Sequence, residues 1–361
     1  RQPRGSREQP DADSDVRPPQ LIAVEFNPPQ IKDGEATVLT VVASDDLAGV
    51  ASVTGVINSP SGSVQGFACQ REGETNRYVA RIAVPRDAPD GVWKINHISL
   101  TDLAKNGAML GAAQGQLPAT AAFRVTSGRS DSSAPTLKSI WLDQLVMRVG
   151  EPNKLYVQAE DDKSGVSAVT GVFLSPAKTA RLSFGCSGRP DGTWECPLTP
   201  PKCLDCGRWQ LEQIQLHDKA NNMGVLRTDQ PMVNSIQLDI IGDQCDAGTP
   251  VLSAVSVQPL VVSNAEATTV TVTAMITDDT CGVASVSGNA IGPSAAGSPR
   301  IYFTFTRGAE GQPWTAQIGV PKHASSGSWR IATVQVVDRG QNLKVYNEAD
   351  RALSGVGFRV Q

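Results

Sequence analysis

The 361 residues leave room for about two to four domains, and 33 glycines and 24 prolines with few long amphipathic runs favour short strands joined by turns. A net charge of −4 from nearly balanced signs offers no basic face to nucleic acid. No apolar run approaches the ~18–20 residues that span a bilayer, so no membrane span is expected.

The chain starts with RQPRGSREQPDADSDVRPP, whose composition reads as an irregular tail over 1–17. It lacks the apolar core of a signal peptide, so export implies a leader already removed or another route. The remainder repeats itself three times. Each copy opens with Asp, three residues and Pro: DVRPP at 15, DSSAP at 131, DAGTP at 246. An acidic pair follows, in DDLAGVASVTG from 45, DDKSGVSAVTG from 161 and DDTCGVASVSG from 278. Next comes a Gly-x-Trp strand, GVWKINHISLTD from 91, GRWQLEQIQLHD from 207 and GSWRIATVQVVD from 327. Each strand ends in a turn, DLAKN at 102, DKANN at 218 or DRGQN at 338. Domains over 18–127, 133–242 and 248–361 follow, each large enough to fold alone.

The third copy reads as LSAVSVQP, TTVTVTAMIT, VASVSGNA, RIYFTFTR, WTAQIGVP, GSWRIATVQVVD, NLKVYN and VGFRVQ. Short strands at this spacing predict an all-β chain of three tandem immunoglobulin-like antiparallel β-sandwiches. Within the Gly-x-Trp strand, Trp93 and Ile95 share one face, whereas Ile98 and Leu100 fall on the opposite phase. Trp209 and Leu211 against Ile214 and Leu216, and Trp329 and Ile331 against Val334 and Val336, repeat the slip. An extra residue must be absorbed, which predicts β-bulges near 96–97, 212–213 and 332–333. Trp93, Trp209 and Trp329 are assigned to the cores, and Trp194 and Trp314, aligned with Tyr78, to packing. Trp141 has no counterpart and is the candidate contact residue.

In a sandwich of this type the loop after the second strand and the turn before the last lie at one end, where the incoming linker also arrives. Each pole then collects four carboxylates: Asp15, Asp45, Asp46 and Asp102; Asp131, Asp161, Asp162 and Asp218; Asp246, Asp278, Asp279 and Asp338. Two readings stand. Ca²⁺ takes six to eight oxygen ligands, which such loops supply, with Asn106, Asn222 and Asn342 as further donors. Alternatively the aspartates shape turns through their own backbone. The third pole needs a cation least, since Cys245 and Cys281 both fall there and a bridge between them would fasten the linker.

Seven cysteines in an all-β chain point to disulfides and export. Cys186, Cys196, Cys203 and Cys206 crowd one stretch, where Cys203–Cys206 reads as a structural disulfide and a four-cysteine zinc site is the alternative. Cys69, aligned with Cys186 but without a partner, is expected to be a buried thiol.

The opening Asp-x3-Pro, the DDxxGV loop, the Gly-x-Trp strand and the DxAxN turn together resemble tandem immunoglobulin-like extracellular domains of bacterial surface proteins, adhesin- and cadherin-like. Gly340 departs from the turn pattern, standing where the other copies have Ala104 and Ala220. The resemblance implies stalk, assembly or adhesive modules, some with calcium at their junctions. The expectation is a non-catalytic, secreted or cell-surface rod, engaged with a protein partner or with itself. A carbohydrate-binding array is the alternative, marked by exposure of Trp141 beside Tyr156. An accessory region of a secreted enzyme is a further one. His97, His217 and His323 do not recur between copies, and no nucleophile or metalloprotease motif accompanies them.

Overall fold

The computed structural model describes residues 14–293, 298–308 and 312–361; residues 1–13 of the tail lie outside them. The chain is all-β, with its strands gathered in antiparallel sheets. Among the described residues, no helix is long and apolar enough to cross a membrane.

Alternating apolar side chains give each third of the chain its own core. One core runs from Val24 to Val125, one from Leu137 to Ile240, and one from Leu252 to Val360. In the third repeat all the expected strands form, among them Val251–Gln258, Thr268–Thr277, Val283–Ile291 and Gly327–Asp338. One sheet orders its strands Val251–Gln258, Thr268–Thr277 and Trp314–Val320. The facing sheet is built around Gly327–Asp338, paired with Val283–Ile291 and Gly357–Val360. The first repeat follows the same plan, but Val64–Arg71 pairs with both Val50–Asn58 and Arg77–Ala83 and so joins its two sheets into one.

A short strand that the sequence reading passes over carries each chain start from one sheet to the other. Gln30–Lys32, Val146–Arg148 and Val261–Val262 pair in parallel with the last strand of their repeat. These segments of two or three residues are too short to show a period-2 pattern.

The phase slip in the Gly-x-Trp strand is a bulge in all three copies. Val56 pairs with His97 and Ile57 with Ile95, leaving Asn96 over; Glu212 and Ala332 are the extra residues of the other copies. Trp93, Trp209 and Trp329 consequently face the same core as the residues beyond the bulge, and all three are fully buried. Opposite the bulge, Gly55, Gly171 and Gly288 leave room for Phe67, Phe184 and Phe303 to lie across the strand, where a Cβ would collide with the ring.

Candidate functional site: the acidic junctions

The Gly-x-Trp motif builds one face of a junction. Gly91, Gly207 and Gly327 take positive φ of 134°, 116° and 127°, which L side chains rarely adopt. A Cβ there would also press on Pro60, Pro176 and Pro293 at 2.9, 3.1 and 2.8 Å. Two residues on, the indole N–H donates back to the carbonyl four residues earlier: Trp93 to Pro89, Trp209 to Asp205 and Trp329 to Ser325, at 3.1, 2.8 and 2.9 Å. The core thereby fixes a corner just before each Gly-x-Trp, at 86–90, 202–206 and 322–326.

The opening aspartate of the next repeat binds to that corner. Asp131 N–H donates to the Asp87 carbonyl (2.7 Å) and Asp246 N–H to the Leu204 carbonyl (3.0 Å). Its own carbonyl accepts from the last residue of the Asp-x3-Asn turn, Asn222 Nδ2 at 3.0 Å for Asp131 and Asn342 Nδ2 at 3.0 Å for Asp246. The same asparagines reach back to the preceding repeat. Ser61 Oγ donates to Asn222 Oδ1 (2.7 Å), and Thr179 Oγ1 to Asn342 Oδ1 (2.7 Å). Asn222 and Asn342 thereby key one repeat to the one before it, whereas Asn106 bonds to Asp15 and Asp102.

The same chemistry joins the third repeat to the first. Asp15 N–H donates to the His323 carbonyl (2.9 Å), Ser325 Oγ to the Asp15 carbonyl (2.7 Å), and Ser326 N–H to Ser14 Oγ (2.8 Å). Asn106 Nδ2 donates to the Asp15 carbonyl at 3.2 Å. The expected rod is therefore corrected. The third corner bonds to Ser14 and Asp15 at the start of the first repeat, which three units strung end to end would leave apart.

At each pole the structure brings the linker aspartate to the acidic loop, with the first two repeats built alike and the third different. Asp15 groups with Asp45 and Asp46, Asp131 with Asp161 and Asp162, and Asp246 with Asp278 and Asp338, oxygens lying within 4.8 Å of one another. Asp102 and Asp218 stand outside these groups and instead accept both N–H and Nδ2 of the asparagine four residues on. Asp279 also stands outside.

In the first two repeats backbone amides occupy the linker carboxylate. Asp15 accepts from Arg17 and Ala48 N–H, and Asp131 from Ser133 and Ser164 N–H. In the third, Cys281 replaces Ala48 and Ser164, and its N–H turns to Asp278. Asp246 Oδ2 is left buried without a partner, as are single oxygens of Asp45, Asp161 and Asp278.

Titration follows from this packing. Burial pushes the Asp102 carboxyl up to about 7, against the two Asn106 bonds that lower it, with Asp15 and Asp45 adding repulsion. Asp246 is pushed up to about 6 by burial and by Asp338 and Asp278. Asp15, Asp218 and Asp338 are raised, chiefly by burial. Burial also acts on Asp131, but hydrogen bonds from Ser164 and Ser133 outweigh it and hold that carboxyl below its ordinary value.

The cysteines pair as Cys186–Cys196, Cys203–Cys281 and Cys206–Cys245. Cys245–Cys281, Cys203–Cys206 and a zinc site of Cys186, Cys196, Cys203 and Cys206 are thus corrected. The corner at 202–206 lies against both the linker and the third acidic loop, so it intercepts Cys245 and Cys281 before they can meet; Cys186 and Cys196 close on each other across adjacent strands, with Cα atoms 4.0 Å apart. Cys69 is a free, half-buried thiol, pushed up to about 12 by burial. Trp141 is 40% exposed and stacks on Tyr156, with ring centroids 5.5 Å apart.

No protein-family model matches the chain, and comparison with curated proteins finds no match. Solved structures do resemble it. The Escherichia coli adhesin FdeC is 15% identical, with 95% of this chain and 98% of that one covered and a TM-score of 0.20. A DUF4785 family protein of Legionella pneumophila is 12% identical over 96% and 97%, with a TM-score of 0.23. Murine CEACAM1b is 13% identical over 62% and 100%, with a TM-score of 0.19.

Proposed function

We propose that the chain is a non-catalytic extracellular structural or adhesive protein. In this reading immunoglobulin-like domains at 18–127, 133–242 and 248–361 are mounted on one another and present their outer faces to a protein partner, or to further copies, on a cell surface. The supporting observation is the junction itself: the opening aspartate of every repeat bonds to the corner of another, and Asn222 and Asn342 add a bond to the repeat before them. The three disulfides fit an oxidising compartment. The test is made in the native cell. Protease shaving and thiol labelling of intact cells should find the protein outside with Cys69 alone reactive, and its deletion should lower adherence. A cytoplasmic, fully reduced protein overturns the reading.

Calcium belongs to this proposal at the third pole. Asp246, 1% exposed, and Asp278 each carry a buried oxygen that lacks a hydrogen-bond donor, and both group with Asp338, whose carboxylate accepts from Asn342. Gly340 leaves space there: a Cβ would stand 3.2 Å from Asp338 Oδ1 and 3.5 Å from Asp246 Cβ. In the first two repeats backbone amides already occupy the linker carboxylates Asp15 and Asp131, Asp45 and Asp161 accept turn amides, Asp46 pairs with Arg17, and Asp162 joins the acidic group of its pole. Ca²⁺ at about 100 times its dissociation constant would add about 2.7 kcal/mol. Melting with calcium and then with chelator reads it out, and Asp246→Asn should abolish the shift. An unchanged midpoint removes calcium and leaves the adhesive reading intact.

A carbohydrate-binding role is the second reading, favoured by the exposed Trp141–Tyr156 stack. Glycan-array binding that disappears in Trp141→Ala supports it; an empty array sets it aside.

A further inference from the structure

The three junctions share their hydrogen bonds but differ in what else ties them. Between the second and third repeats, Cys203–Cys281 crosses the junction and Cys206–Cys245 pins the linker to the corner it leaves. Between the first and second repeats the covalent tie is the linker alone, Ser127-Gly128-Arg129-Ser130-Asp131-Ser132. Between the third and first repeats there is no covalent tie among the described residues, and the bonds of Ser14 and Asp15 carry the contact.

Among the described residues, the closing junction also lacks one bond that the others make. Asn222 Oδ1 and Asn342 Oδ1 each accept a hydroxyl from the preceding repeat, whereas Asn106 Oδ1 is buried without a partner. A buried acceptor left unpaired weakens the contact it belongs to. Of the three junctions, this one is therefore the untethered one and, among the described residues, the one with a bond fewer.

These differences decide which part can move. The second and third repeats are stapled into one body. The first repeat is held by a serine- and glycine-containing linker plus the Ser61–Asn222 and Asp131–Asp87 bonds on one side, and by hydrogen bonds without a covalent tie on the other. If it leaves, it exposes two complementary surfaces: its own pole, with Ser14, Asp15 and Asn106, and the third repeat's corner, His323 to Ser326. The contact is head-to-tail, so neither surface can satisfy itself. What fits the vacated corner is the first repeat of a second copy, making the same bonds that were broken. Such exchange of an identical element is a low-cost route to a dimer.

We propose that the first repeat is exchanged between two copies of this chain, giving a closed dimer in which Ser14 and Asp15 of each copy dock on His323–Ser326 of the other. This deepens the self-assembly part of the proposed function. It is tested on the purified chain, so its outcome is read separately from cell-surface location and adherence.

The experiment uses the full chain carrying Cys69→Ser, with Ser14→Cys and Ser326→Cys added. Monomer and dimer are separated by size exclusion with light scattering, each is oxidised, and both are run without reductant. The expected monomer cross-links within one chain and, once locked, yields no dimer from micromolar to millimolar concentration. The expected dimer cross-links between chains. A chain that stays monomeric throughout, a locked monomer that still dimerises, or a dimer that cross-links within its own chains overturns the proposal. A second variant needs no new cysteine. Deleting Ser127 and Gly128 shortens the tether that lets one chain close on itself, and should raise the dimerisation constant at least about tenfold. An unchanged or lower constant overturns the proposal as well.

Discussion

Ala80→Cys should supply the first repeat with a disulfide that the second already has. In the second repeat Ser187 pairs with Glu195, which sets Cys186 beside its partner Cys196. In the first, Gln70 pairs with Val79, which sets Cys69 beside Ala80 in the same register. Ala80 and Cys69 both pack against the first core, so the register sets the new sulfur beside the old one. Closing a loop of about 11 residues constrains the unfolded chain by about 2.8 kcal/mol in the loop-entropy treatment. Because burial pushes the Cys69 thiol up to about 12, little thiolate forms at neutral pH, and oxidation calls for a glutathione redox buffer. Free-thiol titration should fall from one to none. Hydrogen exchange across residues 50–83 should then slow by about a hundredfold relative to the reduced form, as expected for a gain of this size. Two titratable thiols after oxidation, or equal exchange in both forms, would refute the register argument.

Three other outcomes follow from the junctions and cores. Asp102 and Asp246 have native pKa values of about 7 and about 6, above the unfolded value of ~3.9, so the native state holds more protons across that window. Stability in chelator should fall as pH rises from 4 to 7, with a shallower fall in Asp102→Asn, both read from melting midpoints. Gly171→Ala puts a Cβ against the Phe184 ring and 2.8 Å from the Gln213 carbonyl, and should cost about 1–3 kcal/mol in urea titration; Gly185→Ala, with open space around it, should be near neutral. Trp209→Phe removes the indole N–H from the Asp205 carbonyl and should cost about 1–2 kcal/mol, with faster amide exchange at Asp246 on the corner it steadied.

The bulges at Asn96, Glu212 and Ala332 were legible because a phase slip in apolar residues is a local signal that only an extra residue resolves. The meeting of linker aspartate with acidic loop was legible from strand order. The cysteine partners were not: which sulfur meets Cys281 depends on how one repeat is turned against the next, and no short stretch encodes that angle. Closure of the third repeat onto Asp15 was hidden for the same reason. The recurrence of Asp-x3-Asn, as Asp102 with Asn106, Asp218 with Asn222 and Asp338 with Asn342, was legible, but that Asn222 and Asn342 also accept a hydroxyl from the preceding repeat was not, since it depends on how the repeats meet.

Because every corner is matched to the start of the following unit, the number of units is itself a structural parameter. A fourth copy inserted by gene duplication would arrive where the first already sits, and would have to displace it or wind past it into an open helix. In beads on a string a further unit only extends the row; here it would compete with Asp15 for the Ser325 hydroxyl and the His323 carbonyl.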